Sequence, residues 1–350
     1  MPRADLMREL FKAHARKDDE AFRAAALKVV SEERRKNHRL LAEDLERIVM
    51  NDSRPTLSMF PRHELVLPKD RERGADLVEI SISELDWDRI VLPAATLELL
   101  QDLALEHLRA DILAASGLTP RNTLVFYGPP GCGKTLAARV LAGVLSRPLV
   151  TVRFDAIVSS LLGETASNLR SVFDFIARGE WVVLFDEFDA IGKERDNAFE
   201  HSELKRLVNT LLQLMDSFRG ESVLIAATNH QGLLDTAIWR RFDVLVPFGL
   251  PGPQDRILML RQFLASFDTS SLSLRSLGRR LARSSGGDIE RVAQSAARRA
   301  VLDGRSYILK QDVEPAIRDF RRRLEMDKVD VDELAVPEAD KRRNRDASKS

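Results

Sequence analysis

Gly128-Pro129-Pro130-Gly131-Cys132-Gly133-Lys134-Thr135 is the stretch that decides the fold. It fits G-x-x-x-x-G-K-[ST] and stands between an apolar strand pattern, Thr123–Tyr127, and a helical one, Leu136–Leu145. Glycines at these spacings let successive backbone N–H groups turn inward around phosphate oxygens. Lys134 is placed to reach the β and γ oxygens, and Thr135 to offer its hydroxyl to magnesium. With Leu136, which follows, the loop is expected to line a bound nucleotide, with ATP and Mg2+ as cofactors. A chance match is a poor explanation once both flanking elements are counted. Cys132 is the sole cysteine, so an intrachain disulfide and a cysteine-based zinc site are excluded. It occupies a variable position of the loop and reads as tolerated there rather than redox-active.

Downstream, Trp181-Val182-Val183-Leu184-Phe185 is a buried-strand pattern that ends in two acids, Asp186 and Glu187. Acids at the carboxyl end of a strand lie where open α/β sheets bind ligands. Asp186 suits a magnesium shell, and Glu187 suits orienting and polarising the water that attacks the γ phosphate. The bland alternative, an acidic surface turn, does not account for the unbroken apolar strand before them. Asn229 ends the run Ala226-Ala227-Thr228-Asn229; alone it would be a turn residue, but beside these elements its amide can contact phosphate and attacking water. Asp235 to Asp243 contains Arg240 and Arg241 immediately before another strand pattern. As an isolated pair they would be surface ion-pair partners. Near a nucleotide shared between subunits, guanidinium groups supplied in trans stabilise charge on the transferred phosphoryl group.

Strand patterns at Thr123–Tyr127, Leu149–Phe154, Trp181–Phe185, Val223–Ala227 and Val244–Phe248 alternate with helical ones. This predicts an α/β fold with a five-stranded parallel sheet over residues 86–251. Helical patterns alone follow, predicting an all-helical lid over 252–326. Before the core, residues 1–50 show stripes such as Phe22, Ala26, Val29 and Val30, read as a small helical region that recruits a partner or substrate. Residues 51–85 are broken by Pro55, Pro61, Pro68 and Gly74 and read as a linker or arm, in which only Leu77–Ile82 could pair as a short strand. Residues 327–350 alternate acids with bases and read as a mobile tail. With 54 basic and 54 acidic residues there is no global field toward nucleic acid or an anionic membrane. No apolar run reaches the roughly 20 residues of a membrane span, and the start lacks a secretory core, so the expected location is cytoplasmic.

From 86 to about 323 the chain resembles the AAA+ ATPases, and among them the classical AAA clade. The motifs are GPPGCGKT, VVLFDEFDAI, SELKRLVNTLLQLMD, AATNHQGLLDTAIWRRFD and SGGDIERVAQSA. The resemblance implies a P-loop NTPase core, Asn229 as the first sensor, Arg240 and Arg241 as arginine fingers, and a ring, usually a hexamer. It also implies adenine contacts from the backbone of Ile90 and Val91 and from the lid turn at Gly287. Two departures stand out. Leu92-Pro93 replaces the clade's common glycine pair near the adenine. Leu161, followed by Leu162, takes the place of the aromatic residue that grips a threaded polypeptide in the pore, and offers less area and no ring face; Leu161 in a buried patch is the alternative.

The plan is also similar to stand-alone bacterial AAA ATPases often encoded beside a subtilisin-like protease, through DLxxxLxxAHxxxDDxxF and ERRKNHRLLAEDL. ATP-driven remodelling of a protein substrate or partner is the leading expectation. A nucleic-acid-directed motor or loader rests only on the basic tail and arginine pairs, so nucleic acid is not the expected partner, nor is a membrane. A nucleotide-gated assembly scaffold is the third possibility.

Overall fold

A computed structural model of the chain describes residues 12, 19–35, 66–70, 73–158, 165–186, 210–229 and 239–334. It divides into two units, residues 1–65 and 66–350. In the first unit the helix α1 (Asp19–Arg35) is described. Its Ala25, Ala26, Val29 and Val30 are buried, the spacing of one helical stripe. The other apolar stripes of residues 1–50 lie outside the described residues.

The second unit is organised by a sheet of β1 (Val78–Ser81), β2 (Thr123–Tyr127), β3 (Leu149–Val152), β4 (Val182–Phe185), β5 (Val223–Thr228) and β6 (Val244–Pro247). Their order is β1-β3-β4-β5-β2-β6. The five expected strands all form and pair parallel. The sixth, β1, comes from the Leu77–Ile82 run and adds antiparallel to β3, with Val78 opposite Val152. Every residue of β4 and β5 is buried, as a sheet covered on both faces requires.

Helices α2 (Ala94–Leu108), α3 (Ala110–Ala115), α4 (Lys134–Val144), α5 (Phe154–Val158) and α6 (Thr165–Ile176) accompany the strands, together with a helical segment at 210–217. Ala137, Ala138 and Ala142 of α4 are fully buried, and their small side chains bring this helix close to the sheet. Before β1 the chain folds back on itself through an antiparallel bridge between Lys69 and Asp76. The buried carboxylate of Asp70 accepts from Asn168 Nδ2 on α6 at 2.9 Å and from the Arg73 N–H at 2.8 Å. Burying a carboxylate without such donors would be strongly unfavourable.

Past Pro251 the strands stop. Helices α7 (Pro253–Phe263), α8 (Leu274–Arg280), α9 (Gly286–Leu302) and α10 (Lys310–Leu334) enclose Leu260, Leu281, Ile289, Ile308 and Ile317 in a second core. Helix α10 continues to Leu334, into the stretch that the sequence reads as a tail from Asp327. Arg321 and Glu325 are opposite charges four residues apart, a spacing that favours continued helix. No helix among the described residues is long and apolar enough to cross a membrane.

Candidate active site

Strands β4, β5 and β2 are neighbours, and all three end at the same edge of the sheet. Tyr127 lies opposite Thr228, and Phe185 opposite Ala226. Gly128 and Asn229 therefore leave the sheet side by side at its carboxyl edge, with Asp186 at the end of β4 level with Ala227, where α/β sheets bind ligands. Gly128 has φ +143° and packs so tightly on β6 that a β-carbon would lie 1.9 Å from the Phe248 carbonyl oxygen. Only glycine fits. Gly131 and Gly133 also have positive φ, 72° and 96°. Gly133 begins α4 without a side-chain cap, so the helix presents its first N–H groups to an incoming anion.

Lys134 is 7% exposed, and its ammonium donates to Gly128 O at 2.7 Å, Pro129 O at 3.0 Å and Asn229 Oδ1 at 2.8 Å. Phosphate oxygens are stronger acceptors than these neutral carbonyls. Beside it, Thr135 Oγ1 donates to Asp186 Oδ2 at 2.8 Å. Two neighbouring residues of the loop are thus each bonded to a predicted residue distant in sequence, Lys134 to Asn229 and Thr135 to Asp186. Cys132 is buried, which pushes its thiol pKa up against the opposing pull of Lys134. A protonated, buried thiol agrees with the reading of a tolerated residue. Leu136 is exposed on the first turn of α4.

The expected base side is formed by the segment before α2. Ile90 and Leu92 are buried, and a β-carbon on Gly133 would lie 4.0 Å from Ile90 Cδ1 and 3.9 Å from Leu92 Cδ2. Val91 is half-buried between them. Leucine in place of glycine thus packs its side chain against the phosphate loop. The lid closes on the same loop: Gly287 N–H donates to Gly131 O at 3.0 Å. Ser285 and Asp288 form a reciprocal capping box at the start of α9, with Ser285 Oγ accepting from Asp288 N–H and the Asp288 carboxylate accepting from Ser285 N–H. Burial works to raise the Asp288 pKa, but the hydrogen bonds from Ser285 and the ion pair with Arg291 hold it below the usual carboxylate range. The S-x-x-D spacing could have revealed the cap; nothing in the sequence pointed to the Gly287–Gly131 bond.

Arg240 and Arg241 lie at the other end of the sheet. Asp243, two residues past Arg241, donates its N–H to Thr123 O at 2.9 Å, and its carboxylate accepts from Thr123 N–H at 3.0 Å and Thr123 Oγ1 at 2.7 Å. Thr123 opens β2 and Gly128 follows its end, so the turn's anchor at Thr123 lies about 16 Å along the strand from the first residue of the phosphate loop. Both arginines are exposed, and Arg241 pairs with Asp216 of the 210–217 helix. That partner sits far away in sequence, and no spacing rule would have found it. Glu187, Leu161 and Leu162 lie outside the described residues.

An open parallel sheet with a glycine-rich loop and buried lysine at its carboxyl edge, capped by a helical lid, defines a P-loop nucleotide-binding protein. Residues 124–250 match the family model of the ATPase family associated with various cellular activities (AAA). The chain is 38% identical over 331 residues, 92% of its length and 97% of the relative's, to an uncharacterized AAA family ATPase, y4kL, of Sinorhizobium fredii. It belongs to the AAA family, and it is an ATPase. A proteasome-activating nucleotidase of Thermococcus kodakarensis is 31% identical over 223 residues, which cover 62% of this chain and 56% of that protein. Another, from Methanococcus maripaludis, is 28% identical over 282 residues, 77% of this chain and 69% of that protein.

Proposed function

We propose that this ATPase works as a ring of like subunits, in the family's usual hexamer, and uses hydrolysis to remodel a protein substrate or partner. The observation that carries the reading is the position of the arginine turn. Arg240 and Arg241 stand a strand's length from their own phosphate loop and face outward, so a second copy's nucleotide is what they suit. The site then depends on assembly. The relatives named as proteasome-activating nucleotidases support a protein-directed task. A subtilisin-like protease is proposed as the receiving partner, recruited in the cytoplasm through residues 1–50.

In the proposed division of labour, residues 51–65 link the recruiting region to the core, which includes β1 and runs to 251, the lid runs from 252 to the end of α10 at Leu334, and the residues after it form the tail. The loop from Gly128 to Leu136 holds the triphosphate, with Ile90, Val91 and Gly287 bordering the base. Lys134 exchanges its carbonyl partners for β and γ oxygens. Thr135 and Asp186 are hard oxygen donors 2.8 Å apart, which fits Mg2+. Bound there, the ion would supply neutralisation of the negative charge of the triphosphate. Glu187 orients and polarises the attacking water, Asn229 senses the γ phosphate, and Arg240 and Arg241 of the next subunit stabilise the charge that develops on it. Leu161 and Leu162 touch the substrate with less grip than an aromatic pair would give.

A mixing experiment tests the shared site. Lys134→Ala and the double variant Arg240→Ala/Arg241→Ala should each be inactive alone, and mixed assemblies should regain turnover where an intact loop meets intact arginines. Failure of the mixture to exceed either variant, with both still assembling, would exclude the trans role. An unfolded protein should raise the wild-type ATPase rate; a response to DNA and to no protein would assign the motor to nucleic acid instead.

A further inference from the structure

Trp239 immediately precedes the two arginines, and its ring meets the ring of Tyr127 edge-on, with centroids 5.3 Å apart and planes at 77°. Tyr127 is the residue before the phosphate loop. The backbone around Tyr127 is fixed, since Phe248 N–H donates to its carbonyl at 2.8 Å and Gly128 N–H donates to Thr228 O at 3.3 Å. The backbone of the arginine turn is fixed as well, at the opposite end of β2, by the bonds between Asp243 and Thr123. The ring contact therefore joins the residue before the arginines to the residue before the phosphate loop.

We infer that Trp239 is a positioning residue, tying the arginines that a protomer presents to the state of its own phosphate loop. The inference rests on the reading of Arg240 and Arg241 as serving the next subunit's nucleotide. The loop end of the link has a built-in trigger. Lys134 donates to the carbonyl of Gly128, the residue bonded to Tyr127. A triphosphate draws that ammonium onto its own oxygens and releases this carbonyl. Gly128 is bonded to Tyr127, and the half-buried ring of Tyr127 passes the change at the loop to Trp239. Trp239 in turn sets the direction of the two guanidinium groups that follow it. Edge-to-face contact is directional, so an aliphatic side chain fills the space without transmitting the orientation.

The test compares Trp239→Leu, Trp239→Phe and Tyr127→Leu with Arg240→Ala and Arg241→Ala, reading kcat against ATP and Kd for a fluorescent ATP analogue. Trp239→Leu and Tyr127→Leu are expected to lower kcat about five- to tenfold each, the order of one aromatic pair, with Kd unchanged. The double leucine variant should be no slower than either single one, and Trp239→Phe should keep most of the wild-type kcat. If Trp239→Leu turns over normally while the arginine variants are slow, the link is wrong and the trans reading stands. Equal loss in the Phe and Leu variants, or fully multiplicative losses in the double variant, also overturns the link. Normal turnover in both arginine variants removes the reading beneath it.

Discussion

Lys134 and Asn229, 95 residues apart in the chain, meet at 2.8 Å between ammonium and amide oxygen. The register of β2 and β5 creates this meeting, because Tyr127 opposite Thr228 places the two residues that follow at one height. The bond also makes the ammonium's next partner predictable. Replacing Asn229 with Asp offers Lys134 a carboxylate in place of a neutral oxygen and turns a charge–dipole bond into an ion pair. Asn229→Asp should therefore compete with the triphosphate and weaken its binding by about tenfold, whereas Asn229→Ala should bind ATP as well as wild type. Both should slow hydrolysis, the alanine variant by about a hundredfold, the order seen when one preorganised polar group is removed from a transition state. Titration with a fluorescent ATP analogue separates the two. Equal affinities would mean that Lys134 is not drawn from Asn229 by phosphate.

Arg241 and Asp216 form an ion pair in which both side chains are close to half exposed, 42% and 44%. Exposed pairs contribute little to stability because water screens them. Arg241→Ala should therefore leave urea-unfolding stability within about 1 kcal/mol of wild type. Its loss of turnover could then not be blamed on unfolding. A larger fall in stability would show that the arginine serves its own fold first.

Gly128 and Gly131 predict different failures. A methyl group at Gly128 meets backbone, the Phe248 carbonyl, at 1.9 Å, and backbone cannot step aside without parting β6 from β2. Gly128→Ala should cost more than about 3 kcal/mol or prevent folding. At Gly131 the methyl meets the side chain of Ser285 at 2.7 Å, on the lid. Gly131→Ala should leave the sheet intact and loosen the lid, seen as faster proteolysis between Gly249 and Gly252. Ser285→Ala removes the α9 cap, and with it about 1 kcal/mol; it should act on the lid in the same sense. An equal global loss for both glycine variants would contradict this division.

The sequence revealed the strands and most of the site because local chemistry carries them. GPPGCGKT contains its own glycines and lysine, and β4 is apolar throughout and β5 from Val223 to Ala227, as a doubly covered sheet demands. Asn229 was legible because it ends such a strand. What remained hidden depends on pairing between distant segments. The antiparallel seat of β1 on β3 needs a distant partner strand, as with Val78 and Val152, 74 residues apart. The pairing of Arg241 with Asp216, the contact of Trp239 with Tyr127, and the bond from Gly287 to Gly131 have no spacing signature. The length of α10 was underestimated because its last turns are polar, and polar periodicity looks the same in a helix and in a solvated tail.

His107 sits at the foot of α2, where its Nε2 lies 2.9 Å from the Arg121 carbonyl oxygen. Burial lowers its pKa below the usual 6.5, against the opposing effect of that bond and with help from the Arg147 charge. The folded protein therefore takes up a proton here less readily than the unfolded chain. The sign follows from linkage: this contribution to stability is fully present above the unfolded value of about 6.5 and is lost as pH falls below it. Lowering the pH from about 7.5 to 5.5 should reduce the melting temperature of the wild type. His107→Gln keeps an N–H for the carbonyl but cannot titrate, so its melting temperature should fall less over the same range. Differential scanning calorimetry at matched ionic strength makes the comparison. Parallel slopes for the two proteins would show that His107 stays uncoupled from folding and that the acid sensitivity, if any, arises elsewhere in the chain.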